Sequence, residues 1–558
     1  MQFGGSEHMA TTGILRSRRS AAQLHALASV EREIRANDHG SGRKYLRDFR
    51  EAYTSYERVL DWGGVSRAIQ QAGIVLVGDY HALPNSQRYL ASLIRNPELR
   101  RPVVLGVETI FSRDQHIVDE WSRGEIDERE LRQRIRFELD WGYEWAPFYE
   151  LLCAARDRGA TIYGLDCMPR EDLRKIGARD RHATEKIAEI HQRHPDALVF
   201  VLFGESHFAP THIPALLRER LPDQRVLTVL QNVDSLYWHA AGETSDHVQA
   251  VQVNANVVCV FNATPLEKYE NYRLCLDRWS RDQDDEPDVA PTVYNLIDGL
   301  VSFLGINRYS PHNTTQPLLL VDAMPEVYSR NSDALLRSLL SRKGFSADQR
   351  RSVLGRVKEH GSAYLAPLNA MYVRQFRMMS AAEDAARFLH HACRGLPHRV
   401  NGHVPAPLPS EDAFYVAVVE HALAWFGSRI LHPARPAFRD ADLAELEELT
   451  YEDLQRQTGL IFADADSALL FLTAHREYDR KDRKSAAVPE WLARGFTFAG
   501  RKYEFVVEKL GCLLGNDIYD GYIDGKLTPA ALRKLFLAHI DEPAVAREAY
   551  SKLTARLL

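Results

Sequence analysis

Two tetrapeptides of the form Gly-acid-x-His, Gly78-Asp79-Tyr80-His81 and Gly204-Glu205-Ser206-His207, are the residues best suited to chemistry. Each directly follows a short apolar run, residues 73–77 (GIVLV) and 197–203 (ALVFVLF). Glu108 follows a third run at 102–107, and Asp166 with Cys167 follows a fourth at 161–165. Two imidazoles and up to four carboxylates (Asp79, Glu108, Asp166, Glu205) would then share one place. Imidazole with carboxylate is a ligand set for Mn, Co, Fe or Zn, with His81, Glu108 and His207 as the metal ligands. Without a metal, the same groups do acid–base work, a carboxylate orienting and polarising a histidine. The competing reading is structural: each Gly makes a tight turn and its neighbours satisfy backbone groups.

The elements that would position these residues follow from the runs themselves. With two more at 225–230 and 256–261, they are β-branched, too short for helices and apolar on both faces, as strands of a covered parallel sheet are. Amphipathic stretches at about 85–96, 113–139, 145–158, 171–193 and 210–220 separate them, so strand alternates with helix. In such sheets ligands bind beyond the carboxyl ends of the strands, where both tetrapeptides fall.

After about residue 325 the strand signal stops. Ser346 to Gln349 reads as a capping box and Thr528-Pro529 as a helix start. The expected fold is an α/β domain with a mainly parallel sheet flanked by helices, then a separate all-α region. Its parts would be 1–45, a cloning remnant (1–8) plus a basic helical arm; 46–281, the α/β domain; 282–329, linker and connecting helix; and 330–558, all helical. The arm holds nine Arg/Lys against four acids over residues 10–50 and reads as solvated.

Composition narrows the function classes. Over 558 residues the net charge is −6, with 45% hydrophobic and 26% charged residues, ordinary globular proportions that exclude a disordered chain and give no pull toward nucleic acid. No apolar run reaches the length of a membrane span and no h-region opens the chain. The six cysteines lack C-x-x-C spacing, so a reducing cytoplasm is expected. Trp141, Trp145 and Tyr149 read as one helix face packing into the core. His390, His391, Glu383, Glu420 and His421 lack the Glu-x-x-His spacing of a bundle metal site. Residues 516–528 read as a turn, not a calcium loop.

The stretches VLVGDYHALPNSQRYLASLIR, VVLGVETIFSRDQHIVDEWSRGEI, IYGLDC, RDRHATEKI and FVLFGESHFAPTHIPALL resemble the ChaN-like haem-binding-uptake domain over residues 70–265. Its superfamily also holds the Tiki metalloproteases and the erythromycin esterases. The resemblance implies paired GxxH motifs at 78–81 and 204–207, with Glu108 as the strand acid and Asp180 as the acid of the helix before the second motif. Arg113 and Gln115 fall in the polar stretch after the Glu strand. Asp79 departs from the more usual Glu of the first motif by one methylene. Three functions remain open. One is a metal-dependent or His/Glu-dependent hydrolase of an ester or amide bond in a small-molecule or peptide substrate, with His81, Glu108, His207, Asp79 and Glu205 as catalytic candidates. Another is a non-catalytic haem or iron binder with Tyr80, Arg113, Asp166 and Asp180 at the cofactor. The third is an interaction protein acting through its helical region, a homo-oligomer being compatible with each.

Overall fold

Six apolar runs become six parallel strands in the computed structural model of the chain, which describes residues 18, 20–37, 44–167, 176–243, 248–281, 286–309, 320–329, 332–342, 345–394, 410–481 and 495–558. Backbone contacts divide it into one unit over Val30–Asp285 and a second over Ser17–Ser29 with Glu286–Leu558. The supposed remnant at 1–8 and part of the acidic stretch after Arg281 lie outside the described residues.

The first unit is built on an eight-stranded sheet of β1 (Arg58–Leu60), β2 (Ile74–Asp79), β3 (Val103–Phe111), β4 (Thr161–Asp166), β5 (Leu198–Gly204), β6 (Val226–Gln231), β7 (Ala250–Asn254) and β8 (Val257–Val260). The order is β1-β7-β8-β6-β2-β5-β3-β4. Pairing is parallel from β8 to β4 and antiparallel where β7 meets β8 and β1. The hydrophobic runs of β2, β3, β5 and β6 are buried throughout, because helices cover both faces. Leu90, Ala91 and Ile94 of helix Pro84–Arg95 and Leu151, Leu152 and Ala155 of helix Trp145–Asp157 pack in one core cluster. Ala183, Ile187 and Ile190 of helix Ile176–Arg193 and Ile213 and Leu217 of helix Ile213–Arg220 pack in the other. The connections leaving the adjacent strands β2 and β5 therefore run over opposite faces. That is a topological switch point, and the two tetrapeptides begin there.

Several expectations need correcting. β1 and β7 went unread because three- and five-residue edge strands carry little signal. The helix expected over 113–139 is three pieces, Gln115–Ser122, Glu128–Arg134 and Phe137–Asp140, broken by Gly124 at φ 76° and Arg136 at φ 56°. Trp141 therefore precedes the helix that carries Trp145 and Tyr149, and the three do not share one helix face. Helix Ala21–Asn37 is not a solvated arm: Ala22, Ala26, Val30 and Ile34 form a buried stripe at helical spacing.

The second unit is helical from Met378 onward, but residues 330–558 are not all helix. A three-stranded sheet of β9 (Glu326–Ser329), β10 (Ser362–Leu365) and β11 (Ala370–Val373) comes first, in the order β10-β11-β9. Four-residue strands leave no readable period. The capping box at Ser346 and the Thr528 cap are present as read, whereas residues 516–523 continue helix Gly500–Ile523 rather than turning.

Candidate functional site

Strand β3 does not run straight to its end. Val107 pairs with Gly164 and Phe111 with Asp166, so three residues of β3 (108–110) lie opposite one residue of β4. A bulge of this kind re-aims a side chain, and the residue it releases is Glu108. One Glu108 oxygen takes a bond from Arg179 at 2.5 Å and the other accepts the Gly204 N–H. That second oxygen also stands 3.4 Å from His81 Nε2. Burial opposes the Glu108 charge, but His81, Arg179, His207 and the Gly204 N–H outweigh it and hold the carboxyl down at about 2.

His81 is held from its other side as well. Its Nδ1 lies 2.6 Å from Asp79 Oδ2, and Gln87 of helix Pro84–Arg95 donates to the second Asp79 oxygen. Burial pushes the Asp79 carboxyl up, against the pull of His81. Both nitrogens of one imidazole thus face carboxylates, an arrangement in which a proton on each nitrogen is stabilised. The ring is walled by Tyr143, Trp141 and Phe148 at centroid distances of 5.1, 5.4 and 6.5 Å.

The second motif is wired differently. His207 Nδ1 lies 2.5 Å from Asp180 Oδ1, and His212 Nδ1 lies 2.6 Å from Asp180 Oδ2, so one carboxylate orients two imidazoles. Glu205 reaches neither histidine; Lys268 Nζ holds it at 3.1 Å and lies 4.5 Å from the Tyr80 ring centroid. Burial pushes the Glu205 carboxyl up despite Lys268. A Cβ on Gly204 would stand 3.5 Å from His81 Nε2, 3.5 Å from His207 Cδ2 and 3.2 Å from Glu108 Oε2. Two strand-end histidines and the bulge glutamate therefore meet over a residue with no side chain, and any side chain at 204 would intrude on them.

Asp79, His81, Glu108, Asp166, Asp180 and His207 are thus joined in one cluster, Asp166 through Arg179, which bonds it at 2.8 and 3.1 Å. Arg113 lies apart, half-exposed beside Asp114. Gln115 ties β4 down through Ile162 and Gly164. Tyr80 faces Lys268 and Tyr272; burial first, then Tyr269, Tyr272, Glu205 and Asp234, oppose its ionisation. Sequence reasoning missed Arg179, Gln87, His212 and Lys268. Arg179 had a signal: buried acids at several strand ends require a cation, and it is the neighbour of Asp180.

Among the described residues no group of three or more His, Cys, Asp and Glu is arranged to hold a metal ion. The donor chemistry agrees, because Arg179 and a backbone N–H already neutralise Glu108, so the expected His81–Glu108–His207 set does not fit a cation as arranged. For haem, a phenolate ligand from Tyr80 is opposed by its surroundings, whereas His81 carries the flat aromatic wall a porphyrin needs.

Residues 65–189 match the family model described as haem-binding uptake, Tiki superfamily, ChaN. No curated protein matches the chain. A solved structure, titled cofacial heme binding to ChaN of Campylobacter jejuni, is 13% identical, with a TM-score of 0.24, covering 31% of this chain and 86% of that one. The segment that carries the first motif, Glu108, Asp166 and Asp180 belongs to the ChaN family of the Tiki superfamily.

Proposed function

We propose that the α/β unit is a His/Glu-dependent hydrolase of an ester or amide bond, with His81 as general base. The observation that carries this reading is the Asp79–His81–Glu108 alignment, with both ring nitrogens held against carboxylates at 2.6 and 3.4 Å. Asp79 fixes the ring orientation through Nδ1. Nε2 is the position from which a proton can be taken from water, and the ionised Glu108 stabilises the imidazolium that forms. His207, oriented by Asp180, offers the second acid–base group beside it. Arg179 keeps Glu108 ionised without touching the reacting atoms. The substrate would be a small molecule or peptide.

A haem-binding reading is favoured by the family match and by the rings around His81. One preparation tests both. The full chain is assayed on a panel of activated esters and anilides, with and without chelator, and titrated with haemin. The hydrolase reading expects turnover that survives chelation and falls about 10²–10⁴-fold in His81→Ala. Absence of turnover, together with a Soret band that is lost in His81→Ala, would replace it with haem binding.

A further inference from the structure

Away from the histidine cluster, the first unit holds a cavity of about 730 Å³ that contains none of the site residues discussed above. Helix Trp62–Gln70 forms one wall and residues 89–99 the other, so the space lies between two helices on the same face of the sheet. Its lining is mainly apolar, with Trp62, Val65, Ile69, Tyr89, Leu93 and Phe200 as the large contributors. Arg95 and Glu98 also line it and their charges cancel.

Two further observations say what such a space would take. The Tyr89 hydroxyl is buried and has no hydrogen-bond partner, although leaving a buried hydroxyl unsatisfied is costly. The Trp62 and Tyr89 rings stand 6.1 Å apart, and Trp62 is 43% exposed at the rim. An apolar interior, ring faces and one convergent polar atom are the composition of small-molecule pockets, and the volume falls within their usual range of roughly 300–1,000 Å³. A protein partner would need a broad surface instead.

We infer that this cavity is a binding site for a flat, largely apolar small molecule of a few fused rings, carrying one hydroxyl or carbonyl that pairs with the Tyr89 hydroxyl. The site is independent of the proposed hydrolytic centre and does not rest on it. Uncharged ligands are preferred, since the two rim charges offset each other. Tyr89→Phe should leave the fold intact, because it removes a hydroxyl that bonds to nothing in the protein.

The probes are 2-naphthol and its near-isostere 2-methylnaphthalene, titrated into the full chain by ligand-observed NMR. The proposal expects 2-naphthol to bind about five- to tenfold more tightly, the effect of one net hydrogen bond. Tyr89→Phe should erase that gap by weakening 2-naphthol alone. Leu93→Trp, which fills the cavity, should abolish binding of both, with melting temperature as the control on folding. Failure of either probe to bind, equal affinities in the parent chain, or a gap that persists in Tyr89→Phe would overturn the assignment. The Phe variant decides the matter even if the Trp variant does not fold.

Discussion

Asp180 accepts from two imidazoles at once, so its two oxygens fix the Nδ1–H tautomer of both His207 and His212. Asp180→Asn replaces one acceptor with a donor and turns one ring against its partner. Turnover should fall about 10–100-fold with little loss of melting temperature, the usual result of disturbing a group that orients an imidazole; unchanged kinetics would remove His207 from the mechanism. Glu108 belongs to a different class of residue. Glu108→Gln leaves Arg179 buried with Asp166 alone, and removing one partner of a buried pair costs about 3–5 kcal/mol. Chemical denaturation should show that loss, and a drop well under about 1 kcal/mol would mean that Arg179 re-pairs.

The element that decides the site is the bulge of β3 over residues 108–110, opposite Leu165. Gly164 lies against it, and a Cβ there would meet the carbonyl oxygens of Ile110 and Phe111, both at 2.8 Å. Gly164→Ala should therefore shift the bulge, costing about 1–3 kcal/mol and more than tenfold in turnover; full activity would show that Glu108 does not depend on the bulge. This is also where sequence reading stops. The six β-branched runs announce parallel strands, and Gly-acid-x-His after β2 and β5 announces a strand-end site, because period and turn chemistry are local. A bulge is set by how one strand meets its neighbour, so nothing within residues 103–111 declares it. The same limit hid Arg179 and Lys268, whose roles come from contacts 71 and 63 residues away, and the two short antiparallel edge strands.

At the scale of the whole molecule the two units answer acid differently. In the second, Glu383 is buried, and Arg356, Arg435, Arg387 and His421 overcome that burial to hold its carboxyl well below the ordinary range. The consequence is felt on the acid side. A carboxyl held low contributes stability that is fully present above its unfolded range and is lost as pH falls toward the folded value. In the first unit Glu108 behaves the same way, but burial raises Asp79, Asp166 and Glu205, which take up protons earlier and offset it. Hydrogen exchange between about pH 5 and pH 3 should therefore lose protection first in helices Met378–Arg394 and Ser410–Leu431. Earlier loss in β2 and β5 would reverse this ranking of the units.

The two tetrapeptides share a spelling and not a wiring. The acid of the first serves its own histidine, whereas the acid of the second is held by Lys268 and its histidine borrows Asp180 from a separate helix. The first is therefore a portable unit, a loop that brings its orienting group with it when grafted onto another strand end. The second is not portable, because His207 copied without helix Ile176–Arg193 arrives with nothing to aim it. Substitution tolerance divides along the same line: position 205 can drift in concert with 268 and leave His207 undisturbed, whereas position 79 is bound to His81 by a single turn of chain.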